Sequence, residues 1–336
     1  MSFPIERPSK EAPALKTAVI AIGGNAILLA GERPTQANQL RNIAVTAKGL
    51  ADLIQIGYDL VITHGNGPQV GDILLRNDLA KDAIPPMSLD VCNAESQGQI
   101  GYMLQQALTS EFVRRGMDKV AVALVTQVVV SEDDPAFNNP TKPIGQYYSA
   151  HEARQLEKEK GWKMSLDRKR GGCRRVVPSP DPTGIVESKP VRRLVFGGVD
   201  QAEVVIACGG GGIPVVLKDD RYQGVEAVVD KDLAAAMLAT SIRERLFVMA
   251  TDVENVFVDF GKVTQRPLFR SSLSEMRRFY DEGQFPPGTM GPKILAAIRF
   301  LDGGGEEVVI TSKDRLVESL EGDAGTHIYR DDVERA

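Results

Sequence analysis

The stretch Thr63–Gly71, THGNGPQVG, leaves this chain few folds to choose from. It follows Tyr58-Asp59-Leu60-Val61-Ile62, a run without polar alternation that reads as a strand buried on both faces. Two glycines flank Asn66, and Pro68 suits the first turn of a helix. Upstream, Val19-Ile20-Ala21-Ile22 runs into Gly23-Gly24-Asn25-Ala26 in the same way. A strand that passes through a glycine turn into a helix aims backbone N–H groups and the positive helix end at an anion. Two such units in succession predict a parallel sheet with crossover helices, and two such turns at neighbouring strand ends would surround a small, highly charged group.

The helix between the two units is predicted over Gln39 to Ile56, where apolar residues recur at helical spacing and Gly57 ends the run. Further helices are predicted over Gln69 to Leu79 and, with Asp90 as N-cap, from Ala94 to Phe112 before Gly116. Lys119 to Val130 reads as one long β-like run. From 131 to 190 prolines, glycines and charges accumulate, as in DDPAFNNPTKPIG and LDRKRGGCRRVVPSPDP, around a short helix from Ala150 to Lys160. This region is too polar for a central layer and reads as a protruding subdomain inserted over the site. The apolar pattern returns at Glu203 to Cys208 and runs into Gly209 to Gly212. A short β segment at Val225 to Val229, a helix after Asp230-Lys231-Asp232, and a strand from Leu246 to Ala250 follow. Val256–Val258 and Lys262–Thr264 look like a hairpin, GTMGPK opens another helix, and Glu307 to Thr311 is the last strand expected. The division expected is a flexible arm over 1–16 and one domain over 17–330, with 131–190 inserted in it.

The totals narrow the function classes. The 336 residues are 43% hydrophobic and 25% charged, ordinary values for a globular protein, and the net charge of −5 disfavours nucleic-acid binding. The three cysteines, Cys92, Cys173 and Cys208, lie far apart, which points to a reducing, cytoplasmic setting without a zinc site. No apolar run reaches the roughly 18 residues of a membrane span. The chain lacks GxxxxGK[ST], the protein-kinase motifs, GxSxG and metal-spaced histidines. Lysines in unusual company remain. Lys231 lies between two aspartates, Lys293 follows Gly291-Pro292, and Lys142 sits in Pro140-Thr141-Lys142-Pro143. A lone lysine is most often a solvated surface group, and Asp230 and Asp232 would serve equally well as helix caps. Lysine is also a mobile point charge suited to phosphate chemistry.

Together the segments resemble the carbamate kinases of the amino-acid kinase family. The resemblance is carried in family order by AIGGNA (21–26), THGNGPQVG (63–71), GYMLQQAL (101–108), TQVVV (126–130), DPAFNNPTKPIG (134–145) and RRVVPSPDP (174–182). It continues through GGGGIPV (209–215), GVEAVVDKDLAA (224–235), TDVENVF (251–257), GTMGPK (288–293) and GT (325–326). PTKPIG and RRVVPSP separate this group from the acetylglutamate, aspartate and uridylate kinases. The resemblance implies an α/β three-layer sandwich with an open, mainly parallel central sheet and the protruding subdomain, assembled as a homodimer. It implies reversible phosphoryl transfer between ATP and carbamate, giving ADP and carbamoyl phosphate with Mg²⁺, often run toward ATP at the end of arginine, agmatine or purine-derivative breakdown.

It also implies roles for particular residues. Gly23, Gly24 and Asn25, with Gly65, Asn66 and Gly67, would hold carbamate and the moving phosphoryl group. Lys142 would reach in from the subdomain, Lys231 and Lys293 would neutralise phosphate charge, and Asp232 would orient those lysines. Thr251, Asp252, Val253 and Val256, with Met290 and Gly291, would line the nucleotide pocket, and no metal site made by the protein alone is expected. The arm is longer than the family's, and Thr289 stands where Ser is commoner. The alternatives are another small-carboxylate kinase of the same fold and a non-catalytic nucleotide-binding regulator.

Overall fold

The structure, a computed structural model, describes residues 16–29, 31–167, 171–197 and 204–332. The predicted arm lies outside these residues except for Lys16, which opens the first strand.

The chain begins β1 (Lys16–Ile22), α1 (Gln36–Gln55), β2 (Tyr58–His64), α2 (Gly67–Ala80) and α3 (Leu89–Arg115). Thr35 caps α1 by accepting the Asn38 N–H, and Pro68 occupies the first turn of α2, where its missing N–H costs nothing. The cap of α3 is Ser88 rather than the expected Asp90. Asp90 sits in the first turn, and the Leu89 N–H is bound at 2.9 Å by the distant Glu226 carboxylate. Gly116 closes α3 with φ of 68°.

The long run after α3 is two strands, β3 (Ala121–Ala123) and β4 (Gln127–Val130), which belong to different sheets. Thr126 marks the break. The Gln97 amide receives its N–H, the group a continuous strand would need, and donates to its carbonyl, which also accepts the Ile213 N–H at 2.9 Å as the second sheet begins. Next come β5 (Lys142–Tyr148), α4 (Ala150–Lys160), β6 (Lys163–Asp167), β7 (Gly172–Val177), β8 (Pro182–Ile185) and α5 (Ser188–Phe196). A capping box between Ser149 and Glu152 starts α4 at the predicted residue.

The second half holds β9 (Val204–Ile206), β10 (Ile213–Lys218), β11 (Arg221–Gly224), α6 (Lys231–Ile242), β12 (Leu246–Thr251), β13 (Val256–Val258) and β14 (Arg266–Leu268). It ends with β15 (Arg270–Ser272), α7 (Leu273–Asp281), α8 (Met290–Asp302), β16 (Glu307–Ser312), α9 (Leu316–Glu321) and β17 (Thr326–Tyr329). Three expectations change here. The β segment near Val225 lies earlier, as β11 paired with β10, while Val225 itself is irregular chain bound to the Pro214 carbonyl. The partner of Val256–Val258 is β14, because Asp259 folds the intervening loop onto Lys262 and Thr264. The strand at Glu307 is not the last, since β17 returns antiparallel to it.

Among the described residues the main sheet has the order β15-β17-β16-β12-β1-β2-β9-β3, parallel throughout except where β16 meets β17. Both faces are covered, so alternate residues of one strand enter opposite cores. Ala18, Ile20 and Ile22 pack with α1, α3 and α9, whereas Val19 and Ala21 pack with α5, α6 and α8. A second sheet, β11-β10-β4-β8, and a third, β5-β7-β6 with α4, stand beside the main one. No helix among the described residues is long and apolar enough to cross a membrane.

From β1 the chain builds one side of the main sheet through β2 and β9, then crosses to β12 on the other side. The order therefore reverses beside β1, and a crevice is expected at the carboxyl ends of these strands.

Candidate active site

Three glycine turns close that end of the sheet. In the first, Gly23 donates to the Ala250 carbonyl at 3.1 Å, and the Gly24 carbonyl then receives the Ile27 and Leu28 N–H groups. In the second, the Asn66 amide donates to Asn93 at 3.1 Å and to Ser96 at 2.8 Å, both on α3. The third, Cys208 to Gly212, is packed against the second. A Cβ on Gly209 would lie 2.2 Å from His64 Nε2, and one on Gly210 would lie 2.2 Å from the Asn66 amide nitrogen. The tetraglycine is thus a close-packing device, and Gly210 also faces the crevice.

Opposite the turns stands a charged cluster. Asp230 caps α6, its Oδ1 accepting the Asp232 N–H at 2.9 Å, while its Oδ2 holds Lys142 Nζ at 2.6 Å. Asp232, one step into the helix, bridges two lysines: Oδ1 meets Lys231 at 2.5 Å and Oδ2 meets Lys293 at 2.9 Å. Lys231, Lys293 and Asp232 are 14%, 12% and 7% exposed, so their charges act with little solvent screening. Three ammonium groups face two carboxylates, which leaves the cluster net positive and suited to an anion.

Burial raises the Asp232 carboxyl, but the charges of Lys231 and Lys293 outweigh it and hold the group below the usual carboxylate range. Burial also acts against Asp230, and Lys142 brings it down. Lys231 is lowered by burial in spite of Asp232, whereas at Lys293 the Asp232 charge overcomes burial and raises it. His64 is buried, and that burial takes its imidazole down to about 4. It is neutral at pH 7, with Nδ1 at 3.1 Å from the Gly65 carbonyl.

The glycine turns and the lysine cluster line one cleft of about 1370 Å³. Of the site residues expected from the sequence, Val256 alone is not brought to it. Its side chain is fully buried and its N–H binds Thr326 Oγ1 at 2.8 Å. Thr251, Asp252 and Val253 line the far end with Met290 and Gly291. Sequence reasoning missed the aromatic wall there, Phe257, Phe260, Tyr280 and Phe285. Phe257 on β13 and Phe260 on the loop that follows meet edge to face at 6.4 Å, and the clustering of phenylalanines around TDVENVF was the available signal. The subdomain adds Tyr147 and Arg174 beside Lys142, and it approaches α2 closely. A Cβ on Gly71 would lie 2.0 Å from the Cα of Gly145, which has φ of 70°.

Residues 16–312 match the model of the amino acid kinase family. The chain belongs to that family. It is 48% identical to the carbamate kinase of Thermococcus kodakarensis over 320 residues, which cover 94% of this chain and 100% of the relative. To the carbamate kinase of Pyrococcus furiosus it is 47% identical over 315 residues, 93% of this chain and 99% of that one. Among solved structures, carbamate kinase from Giardia lamblia bound to AMP-PNP superposes with a TM-score of 0.85 at 40% identity, covering 95% of this chain and 99% of that one. The same enzyme bound to citric acid reaches 0.88. The three-layer arrangement with its mainly parallel sheet is the amino acid kinase fold.

Proposed function

We propose that this amino acid kinase is a carbamate kinase, exchanging a phosphoryl group between ATP and carbamate to give ADP and carbamoyl phosphate. The observation that carries the reading is Asp232 bridging Lys231 and Lys293 inside the cleft where the glycine turns end. Phosphoryl transfer asks a protein mainly for alignment and for compensation of spreading negative charge. Toward ATP, a β-phosphate oxygen of ADP attacks phosphorus, the bond from phosphorus to the carbamate oxygen breaks, and carbamate leaves with the electron pair. No proton has to move, so the neutral His64 is no obstacle. Gly24, Asn25, Gly65, Asn66 and Gly67 hold the carbamoyl phosphate through backbone N–H groups, and Gly23, whose own N–H is taken by the Ala250 carbonyl, fixes the first turn beside it. Lys142 approaches it from the subdomain, and Lys231 and Lys293 neutralise the moving group under the control of Asp232. Thr251, Asp252, Val253, Met290 and Gly291 hold the nucleotide, with the aromatic wall at its base.

The reaction implies Mg²⁺. Among the described residues no three His, Cys, Asp or Glu side chains are grouped to hold a metal. Mg²⁺ commonly keeps several waters and binds substrate phosphates with one or two carboxylates. The donors in the cleft fit that mode: Asp232 is taken up by two lysines and Asp230 by one, so nucleotide phosphates would supply most of the binding and Asp230 would be the carboxylate to assist. Bound there, the ion would supply compensation of phosphate charge.

The free cysteines agree with a cytoplasmic protein. We also assign a homodimer to the exposed face of α3. Val91, Tyr102 and Val113 are 38%, 59% and 74% exposed and successively eleven residues apart, about three turns, so they form one stripe. That stripe lies beside β3, an unpaired edge of the main sheet.

The test is a substrate panel. ATP should form from ADP, Mg²⁺ and carbamoyl phosphate, while N-acetylglutamate and aspartate should take no phosphoryl group from ATP. Turnover of either carboxylate, with none of carbamoyl phosphate, would replace this reading by another kinase of the fold.

A further inference from the structure

His64 is the buried titratable group that the charge chemistry leaves unused. It ends β2, is 1% exposed, and stands where the strand enters the second glycine turn. A carbonyl oxygen can only accept, so the 3.1 Å contact with the Gly65 oxygen requires the proton on Nδ1. Nε2 then carries the lone pair and faces Gly209, the residue that could not bear a Cβ beside it.

The consequence follows from peptide geometry. In a trans peptide the carbonyl and the N–H point in opposite directions. With the Gly65 carbonyl turned to the ring, the N–H of Asn66 is turned away from it, and of the four residues His64 to Gly67 only the ring-bearing His64 does not line the cleft. The next peptide is fixed independently, since the Asn66 carbonyl accepts the Val70 N–H at 2.9 Å. The Asn66 side chain is held by Asn93 and Ser96, but those contacts do not set the plane of the peptide before it. A glycine on the N-terminal side leaves that plane free to turn unless something grips its carbonyl.

We propose that His64 is a positioning residue for phosphoryl transfer: its Nδ1–H holds the 65–66 peptide in the orientation that presents the Asn66 N–H to the transferring phosphoryl group. The ring touches neither substrate nor metal, and its task is to prevent a peptide flip that would present a carbonyl oxygen to an anion. This rests on the carbamate kinase reading given above.

The test compares two side chains of similar shape. His64→Asn keeps an N–H donor where Nδ1 stands, and His64→Leu has none. With ADP, Mg²⁺ and carbamoyl phosphate, His64→Leu should lose roughly 10- to 100-fold in kcat, on the scale of one lost anion-hole donor. Its KM for ADP should stay within about twofold, and His64→Asn should recover most of the loss. Equal rates in the two variants would overturn the proposal. A second measurement needs no variant: imidazole ¹⁵N spectra of the wild-type protein should report the Nδ1–H tautomer at pH 7, and an Nε2–H tautomer would overturn it as well. A wild-type protein that makes no ATP fails the activity assignment instead, which these spectra read separately.

Discussion

Asp232 in the cleft and His64 behind the second glycine turn are both buried, and both depend on protonation in ways that can be separated. Asp232 lies below its ordinary range in the fold, so its contribution is present above the unfolded value near 3.8 and fades only in stronger acid. His64 acts at milder pH. The unfolded imidazole takes a proton near 6.5, but the folded one does so only near 4. Between those values unfolding takes up a proton, so stability falls as pH falls. The loss reaches about 3 kcal/mol by pH 4, at about 1.4 kcal/mol per pH unit. Denaturant unfolding of the wild-type protein should therefore weaken between pH 6.5 and 4, and His64→Asn should flatten that slope. An unchanged slope in the variant would place the proton uptake elsewhere.

At the level of elements, the subdomain meets the main body where α2 passes β5. Gly71 and Gly145 are in backbone contact there, three residues from Lys142. Gly71→Ala puts a methyl 2.0 Å from the Gly145 Cα, so one of the two backbones has to move. The expected cost is about 1–3 kcal/mol of stability, and a displaced Lys142 should lower turnover more than it affects ADP binding. A variant with wild-type melting and turnover would mean that the contact yields without moving β5. The legibility of the elements follows the same physics. β1, β2 and β12 were readable because burial on both faces makes an unbroken apolar run, and the turns after β1 and β2 were readable because glycine has a steric purpose there. The β10–β11 pair was not, since β11 is Arg-Tyr-Gln-Gly, exposed along its length and without a strand signature. α7 was missed because it buries only Leu273, Met276 and Phe279 within nine residues. The lysines were visible one at a time, but the Asp232 bridge joins positions 61 residues apart and depends on how α8 packs beside α6. The roles of the charged residues came from the family resemblance, while the grip of His64 on Gly65 appears only in the folded chain.

The whole molecule combines two demands, a positive centre that binds an anion and a sheet edge that has to be covered. For the second, the wild-type protein should have twice the 36.5 kDa chain mass in solution, and Tyr102→Arg with Val113→Arg should give a monomer. A dimer that survives both changes would assign the contact to another face. For the first, Lys293 is the decisive residue, because Asp232 keeps Lys231 as a partner when Lys293 is removed, and Lys293→Ala should still fold. The most direct measurement is the rate of ATP formation from ADP, Mg²⁺ and fresh carbamoyl phosphate by the wild-type protein and by Lys293→Ala. Rapid synthesis by the wild type with a loss of roughly 100- to 1000-fold in the variant is expected, on the scale of a lost charge contact in the transition state. A folded Lys293→Ala that makes ATP at nearly the wild-type rate would contradict the account, since the bridge at Asp232 would then not be the centre of the chemistry.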